Sequence, residues 1–476
     1  MTYAVILAGG VGSRFWPFSR ELEPKQFMKI IGEESLIQAS IRRLKGIVVP
    51  ERTYVITNNI YFYEVKAQVV KFGIPDRNII LEPEGKNTAP AAGLCARLIS
   101  QIDKDAVLMI LPSDHYIKVL PKFRSAIKKA ILAAKEGQLV TIGIKPNAPS
   151  TGYGYVKVKS TKVEEKVKVK KSIRYFKVER FFEKPTLNKA KEYLRDEHYY
   201  WNSGMFVFKA SVFLGEVKRY LPKLYANLEQ INSVKDIPKA WPKIDAISID
   251  YGIMERSQRI ALIPSDFYWT DLGSWDALAG IFPKDRFNNT VNGDTFNLGS
   301  RGVCVFTKGN KLVSTIGVKD TIIVDTPDAL LVCDRNKAQD VKYLVEKLKL
   351  LKRKEHQVHL TERRPWGSFT VLQQGFGFKI KLIEIAAHKR LSLQKHKKRA
   401  EHWVVVSGLA KVIRGTKVVM VRSNESIYIP KATKHRLENC TSQPVRIVEV
   451  QTGNYLEEDD IERFEDDYKK RARPGS

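Results

Sequence analysis

The sequence predicts an α/β chain in three parts: a doubly wound α/β domain over residues 1–285, a short β-rich bridge with one helix over 286–352, and an all-β barrel or jelly roll over 353–476. Three observations carry that reading. Short apolar runs alternate with amphipathic stretches up to about residue 285. Helical patterning then stops among Gly, Asn and Asp turns, and short alternating runs take over from Pro365.

In the first part, Tyr3–Leu7, Thr53–Ile56, Ala106–Leu111 and Leu139–Ile144 read as strands. Leu36–Leu44, Tyr61–Val70, Pro90–Ile102 and Pro121–Ala134 read as the helices between them, and this βαβ rhythm implies a mostly parallel sheet. The bridge carries β-like pieces at Val303–Phe306, Thr321–Val324 and Ala329–Val332, as in a small coil of strands or a linker module. An amphipathic helix, Lys337–Leu351, follows with Val341, Leu344, Val345 and Leu348. Beyond it Phe378–Ile385, Trp403–Val406, Lys411–Ile413, Ser426–Pro430 and Val445–Val450 read as strands, with no helical stretch before the acidic tail.

The chain of 476 residues is 43% hydrophobic and 28% charged, which excludes a disordered or collagenous protein. Cys95, Cys304, Cys333 and Cys440 form no CxxC pair, so reduced buried thiols are expected rather than a disulfide scaffold. No export signal opens the chain and no apolar run could span a bilayer, so a soluble cytoplasmic protein with no membrane partner is expected. Lys and Arg outnumber Asp and Glu by 81 to 52, a formal charge of +29 that suits nucleic acid, anionic lipid or phosphorylated small molecules. Ten basic and three acidic residues fall between Lys157 and Arg180, where Lys162, Lys166 and Lys168 alternate with Val163, Val167 and Val169 as in an exposed hairpin. No nucleic-acid-binding motif accompanies the charge, so a solvated basic face is expected and no nucleic-acid partner.

The chemistry begins where Tyr3–Leu7 runs into Ala8-Gly9-Gly10-Val11-Gly12-Ser13-Arg14. Glycines let backbone N–H groups close around phosphate oxygens, although such a cluster also serves as a plain tight turn. It matches neither GxGxxG nor the Walker A loop, yet with Arg14 and Lys25 nearby it suits a triphosphate. Asp114 stands just past Ala106–Leu111, where ligand groups gather in an open α/β sheet. A lone Asp there is a turn or cap residue as often as a metal ligand, so it needs a partner, and Asp271 offers one. One carboxylate from each half is enough for Mg²⁺, which keeps phosphate oxygens and water as its other ligands.

LAGGVGSRFWPFSR (7–20), PKQF (24–27), EPEGKNTAP (82–90), PSDH (112–115), TGYGYV (151–156), FFEKP (181–185), WNSGMF (201–206) and WTDLGSW (269–275) together resemble mannose-1-phosphate guanylyltransferases, among the sugar nucleotidyltransferases. Phe182 stands where that family usually has Val. The resemblance implies a Rossmann-like nucleotidyltransferase domain that joins GTP and mannose 1-phosphate. Leu7, Ala8, Gly9, Gly10, Gly12, Ser13, Arg14, Lys25, Asn87 and Thr88 would bind the nucleotide, and Asp114 and Asp271 the Mg²⁺. Gly154, Glu183, Lys184 and Asn202 would line the sugar-phosphate site. A sugar phosphate attacking the α-phosphorus of GTP is already anionic and needs no general base. Its obstacle is repulsion between anions, so Arg14, Lys25 and Lys184 matter more than any His.

In the last part, Gln394 and His396 lie two apart on a strand, a turn at Lys397–Arg399 can return Glu401 beside them, and His435 comes from a second segment. This set makes a plausible open site for Zn²⁺ or a similar divalent ion such as Co²⁺. The spacings resemble both cupin motifs, with Gln394 in place of the first His. More narrowly, RPWG (364–367), LSLQKHKKRAEHW (391–403), IPKATKHRLEN (429–439) and YLEEDDIERFED (455–466) resemble the type II phosphomannose isomerase domain fused to guanylyltransferases. Ala432 replaces a usual Gly, and Ala386-Ala387-His388 replaces a usual Pro-Gly.

The resemblance implies a cupin isomerase of mannose 6-phosphate with Gln394, His396, Glu401 and His435 as ligands. Arg399 and Arg436 are candidates for the phosphate or enediolate charge, Lys395 and Lys397 for solvated surface, and His402 points away from the metal. A structural or regulatory barrel beside a monofunctional transferase is the alternative. A homodimer is left open.

Overall fold

A computed structural model describes residues 1–167 and 171–468, with side-chain burial outside 160–173. The chain divides into two compact units, Met1–Gln357 and Val358–Ser476. Among the described residues no helix is long and apolar enough to cross a membrane.

A nine-stranded sheet organises the first unit, in the order Ile79–Glu82, Thr53–Asn58, Thr2–Leu7, Val107–Pro112, Tyr199–Lys209, Leu139–Ile144, Ile260–Ser265, Lys171–Phe182 and Tyr155–Val167. Strand alternation sends Ala4 and Ile6 into one core with Ile37, Val65 and Ile127, and Tyr3 and Val5 into another with Leu94, Phe213 and Leu228. Helices therefore cover both faces, as doubly wound packing requires. The first helix starts at Ser35, whose side chain and that of Gln38 form a reciprocal capping box.

The sheet is mixed rather than mostly parallel. Tyr199–Lys209 runs antiparallel between Val107–Pro112 and Leu139–Ile144. Its run YYWNSGMFVFK has the burial of a central strand, but its direction is set by partners far away in sequence. The basic hairpin exists as the antiparallel pair Tyr155–Val167 and Lys171–Phe182. Its sheet-proximal end is core, with Tyr155, Val156, Tyr175 and Phe181 buried. The side chains of Lys162, Val163, Lys166 and Val167, and residues Lys168 and Val169 altogether, lie outside the described residues.

The bridge is a coil of short strands. Thr290–Asn292, Cys304–Thr307 and Thr321–Asp325 pair in parallel, and Leu330–Asp334 closes the sheet antiparallel. The coil shares one core with the glycine-loop region: Phe15, Trp16, Phe18 and Trp275 pack with Cys304, Phe306, Ile322, Val341 and Val345. The buried Arg20 guanidinium also donates to both carboxylate oxygens of Asp328 at 3.0 Å.

The second unit has two antiparallel sheets. The larger runs Thr361–Arg364, Gly367–Gly375, Phe378–Ile385, Val445–Gly453, Arg399–Ser407 and Ser426–Ile429. The smaller runs Lys417–Arg422, Leu409–Arg414, His435–Glu438, Leu393–His396 and Ile461–Glu465. The acidic tail thus supplies a strand, paired with the strand that carries Gln394 and His396. Ile383, Ile385, Val405, Val412, Leu437 and Ile447 fill one end of the interior. Ala432 and His388, at the two turns that depart from the cupin pattern, hold φ of +59° and +57°, the left-handed conformation that glycine adopts most easily.

Candidate active sites

The first site forms beyond the carboxyl end of Thr2–Leu7. The carbonyl of Ala8 accepts from Thr57 Oγ1 (2.9 Å) and from Gln26 Nε2 (3.2 Å), which also reaches the Gly10 carbonyl (2.8 Å). Gly12, at φ +66°, turns the chain into Ser13–Phe15, and a Cβ there would lie 2.9 Å from Lys25 Cγ. A cleft of about 400 Å³ follows, lined by Gly12, Ser13, Arg14, Phe15, Lys25, Asp114, His115, Asp271, Gly273 and Lys342. Leu7, Ala8, Gly9 and Gly10 lie just outside this lining.

Buried Lys25 ties the cleft together. Its Nζ reaches Asp114 Oδ2 at 3.0 Å, the Asp271 carbonyl at 3.0 Å and the Leu272 carbonyl at 2.8 Å. The pairing of Trp269–Thr270 with Tyr116–Ile117 draws the same two segments together through the backbone. The two aspartates therefore meet at one cleft, with Lys25 directed at protein oxygens between them. Arg14 lines the cleft, and its buried Nε has no hydrogen-bond partner among the described residues.

Burial alone would raise the Asp114 carboxyl, but the Lys25 ammonium holds it below the usual range. His115 is pushed down to about 4 by burial, and its Nδ1 accepts from Trp269 Nε1 at 3.2 Å. Both features keep it neutral. Two carboxylates facing an open cleft beside a phosphate-sized loop fit a small hard cation.

Asn87 and Thr88 do not line this cleft. Asn87, at φ +71°, caps the helix Thr88–Ser100 by accepting from the Thr88 N–H, while Thr88 Oγ1 accepts from the Ile249 N–H. Gly154, Glu183, Lys184 and Asn202 do come together. The Asn202 N–H donates to the Gly154 carbonyl (2.8 Å), Lys184 Nζ meets Glu183 Oε1 (2.5 Å), and a Cβ on Gly154 would strike Glu183 Oε2 at 2.5 Å.

Sequence reasoning missed three residues here. Asp250 accepts from Asn202 Nδ2 at 2.7 Å, and burial together with Glu183 pushes it up to about 6. Lys342 reaches the cleft from the bridge helix with no signal in the sequence. Glu82 sits beside Gly9, its Oε2 3.3 Å from where a Cβ would be, and its buried Oε1 has no partner among the described residues. Burial pushes the Glu82 carboxyl up to about 8. Its place at the head of EPEGKNTAP was the available hint.

The second site fills the other end of the barrel interior. His396 Nε2 and His435 Nε2 approach the two carboxylate oxygens of Glu401 at 3.1 and 3.5 Å, and all three residues are buried. Their ligating atoms lie within 4.8 Å of one another. His435 Nδ1 donates to the Thr433 carbonyl at 2.9 Å, which leaves the Nε2 lone pair bare, and Nε2 has no hydrogen-bond partner among the described residues. Two imidazoles and a carboxylate arranged so fit a divalent transition metal. Gln394 lies opposite His435 across the strand pair, and its amide oxygen accepts from Ser392 Oγ at 3.2 Å.

Burial would raise Glu401, but His396 and Arg399 hold it well below the carboxylate range. Arg399 Nε donates to Glu401 Oε1 at 3.1 Å, so this cation stands in the cluster. Arg436 does not: its guanidinium is matched to Glu438 and Glu465. His402 is exposed and meets Ser426 Oγ, as strand alternation requires. Two further inward polar residues, Glu449 and Gln451, were not singled out in the sequence. Trp403 Nε1 bridges Glu401 and Glu449, and Gln451 Nε2 does the same from the other side. Burial and the Glu401 charge raise Glu449, so it keeps its proton as Glu401 gives one up.

Comparison with known proteins places three family models along the chain: Nucleotidyl transferase over residues 3–286, MannoseP isomerase/GMP-like beta-helix domain over 293–348, and Mannose-6-phosphate isomerase C-terminal over 351–466. An Escherichia coli K12 protein named mannose-1-phosphate guanylyltransferase is 40% identical over 98% of this chain and 98% of its own length. The xanthan biosynthesis protein XanB of Xanthomonas campestris is 39% identical over 98% of each chain. A solved structure from Thermus thermophilus, named a mannose-1-phosphate geranyltransferase, matches at TM-score 0.64 and 31% identity over 73% of this chain and 99% of that one.

Proposed function

As the chain belongs to the mannose-1-phosphate guanylyltransferase family, with an isomerase-type domain at its C-terminus, we propose that it transfers GMP from GTP to mannose 1-phosphate. We propose also that its barrel interconverts mannose 6-phosphate and fructose 6-phosphate. The first reading rests on one observation above all, the Lys25 ammonium that joins the Asp114 and Asp271 segments at the mouth of the glycine loop.

A phosphate oxygen of mannose 1-phosphate attacks the α-phosphorus in line, forming the new P–O bond as the bond to pyrophosphate breaks. The glycine-loop N–H groups and Arg14 hold the phosphates, and Lys184 lies where a second anion must be steadied. Lys25 fixes the aspartates, which would hold Mg²⁺; when bound, that ion neutralises charge on the transferred phosphates. Gly154, Glu183, Asn202 and Asp250 offer polar groups suited to sugar hydroxyls. Asn87 and Thr88 act by holding the helix end behind the nucleotide.

Glu82 gives the site a basis for choosing guanine. Guanine presents adjacent N1–H and N2–H donors, which the Glu82 carboxyl accepts together once it gives up its proton, whereas adenine presents an acceptor at N1. Incubating the chain with Mg²⁺, mannose 1-phosphate and each of four nucleoside triphosphates should release pyrophosphate with GTP foremost. No release with any of them overturns the transferase reading. Glu82→Gln should lower kcat/KM for GTP by roughly 10–100-fold while changing ATP use little. It also carries a pH signature. A carboxyl held at about 8 against 4.5 when unfolded favours the fold at low pH and loses that favour as pH rises through this window. Glu82→Gln should therefore gain stability over wild type between pH 5 and 8, by at most about 5 kcal/mol, read by urea unfolding at both pH values.

In the barrel, His396, Glu401 and His435, with Gln394 alongside, would hold the divalent ion. Bound Zn²⁺ or Co²⁺ supplies Lewis acidity to a sugar carbonyl. Arg399 fixes the Glu401 carboxylate, and Trp403 and Gln451 orient it from the opposite side.

A further inference from the structure

We propose that Lys379 and Lys381, with Arg399 beside them, form the phosphate-holding pocket of the barrel, and that the Glu458 carboxylate occupies this pocket until an anionic sugar displaces it. The proposal rests on the isomerase reading for the identity of the sugar and on geometry of its own for the anion.

Lysines at 379 and 381 alternate with Phe378, Ile380 and Leu382, a pattern that would ordinarily turn the ammoniums to water. The strand does the opposite. Lys379 and Lys381 are each only 6% exposed and share the inward face with Ile383 and Ile385. Opposite them across the strand pair stand Gln451 and Glu449, which belong to the metal-ligand end of the interior. Two buried ammoniums on one inward face are costly unless an anion or a set of acceptors meets them.

Their partners come from the acidic segment that follows the Val445–Gly453 strand. Lys379 Nζ donates to the Leu456 carbonyl at 3.0 Å, and Lys381 Nζ meets Glu458 Oε1 at 3.0 Å. Arg399 Nη1 donates to the Glu457 carbonyl at 3.2 Å. Lys381 and Arg399 together hold Glu458 below its usual carboxylate range, with Arg463 on the outer side. Three cations thus converge on a short run of acidic backbone and one carboxylate.

That carboxylate is well suited to exchange. The Glu458 side chain is 57% exposed, on a short helical turn at the rim, whereas the Lys381 side chain is 8% exposed. A phosphate carries more charge and more acceptor oxygens than a carboxylate, so it competes for the same donors. The pocket would therefore take a hexose 6-phosphate by its phosphate and leave the sugar chain to reach the cluster of His396, Glu401 and His435.

The test uses the full chain, with GDP-mannose and Mg²⁺ filling the transferase cleft, titrated calorimetrically with mannose 6-phosphate and with mannose. Lys381→Met should weaken mannose 6-phosphate binding about 30-fold or more, and Glu458→Gln should tighten it several-fold. Neither variant should change pyrophosphate release at the other site or the metal content of the barrel. Opposite signs from two partners of one ion pair are not produced by loss of folding, which would weaken binding in both. Equal affinity in wild type and Lys381→Met, weaker binding in Glu458→Gln, or no binding by wild type would each overturn the pocket. Isomerisation is scored separately. Binding that follows this pattern without turnover of fructose 6-phosphate removes the isomerase reading and keeps the pocket; turnover that ignores Lys381→Met does the reverse.

Discussion

Replacing Asp271 by Asn should lower GDP-mannose formation by roughly 10²–10³-fold and leave the barrel untouched. The substitution is close to a pure change of charge. Asp271 Oδ1 accepts the Gly273 N–H at 2.9 Å, a bond that an Asn side-chain oxygen can also accept. Lys25 grips the Asp271 backbone carbonyl rather than its carboxylate, so the join between the two segments survives. What disappears is one of the two negative charges facing the cleft. Pyrophosphate release and the Mg²⁺ concentration for half-maximal rate are the measurements, with the melting temperature as control. Wild-type rates in Asp271→Asn would remove the paired-aspartate reading.

Glu401→Gln should have the largest effect in the second unit, because the carboxylate answers several neighbours at once. Arg399, His396, His435, Trp403 and Gln451 all turn polar atoms toward it. Neutralising it leaves the buried Arg399 guanidinium without its anion, a loss on the order of 3–5 kcal/mol. It also removes the only carboxylate among the three clustered candidate ligands. The expected result is a chain that loses bound Zn²⁺ or Co²⁺ on dialysis, fails to interconvert the hexose phosphates, and still makes GDP-mannose. His396→Ala separates the two losses, since it removes a ligand without stranding Arg399. A Glu401→Gln protein that keeps both metal and stability would contradict the account of the cluster.

The division between what was legible in the sequence and what was not follows the physics of each feature. Local chemistry could be read directly: the glycine run after the first strand, the aspartates beyond strand ends, and Gln394, His396 and Glu401 grouped within eight positions. Features set by distant partners could not. The antiparallel course of Tyr199–Lys209 depends on neighbours at Val107–Pro112 and Leu139–Ile144. The inward course of Lys379 and Lys381 was not legible either, because alternation shows that two faces differ, not which one is inside. Glu82 and Asp250 were not singled out in the sequence; burial and an unmatched oxygen mark Glu82, and burial beside Glu183 marks Asp250. Lys25 is the instructive intermediate. Its place near the site was legible, but its three bonds to protein oxygens, which tie the Asp114 and Asp271 segments together, were not.

The aromatic seat beneath the glycine loop limits how the protein can be cut. Phe15, Phe18 and Trp275 rest on Phe306, Ile322 and Val345, so a chain ended at residue 285 would leave those rings facing water and unmoor the turn that carries Arg14. The smallest excisable transferase therefore runs through Gln357. The strand coil works as its underside, and changes made there reach the glycine-loop cleft through its floor.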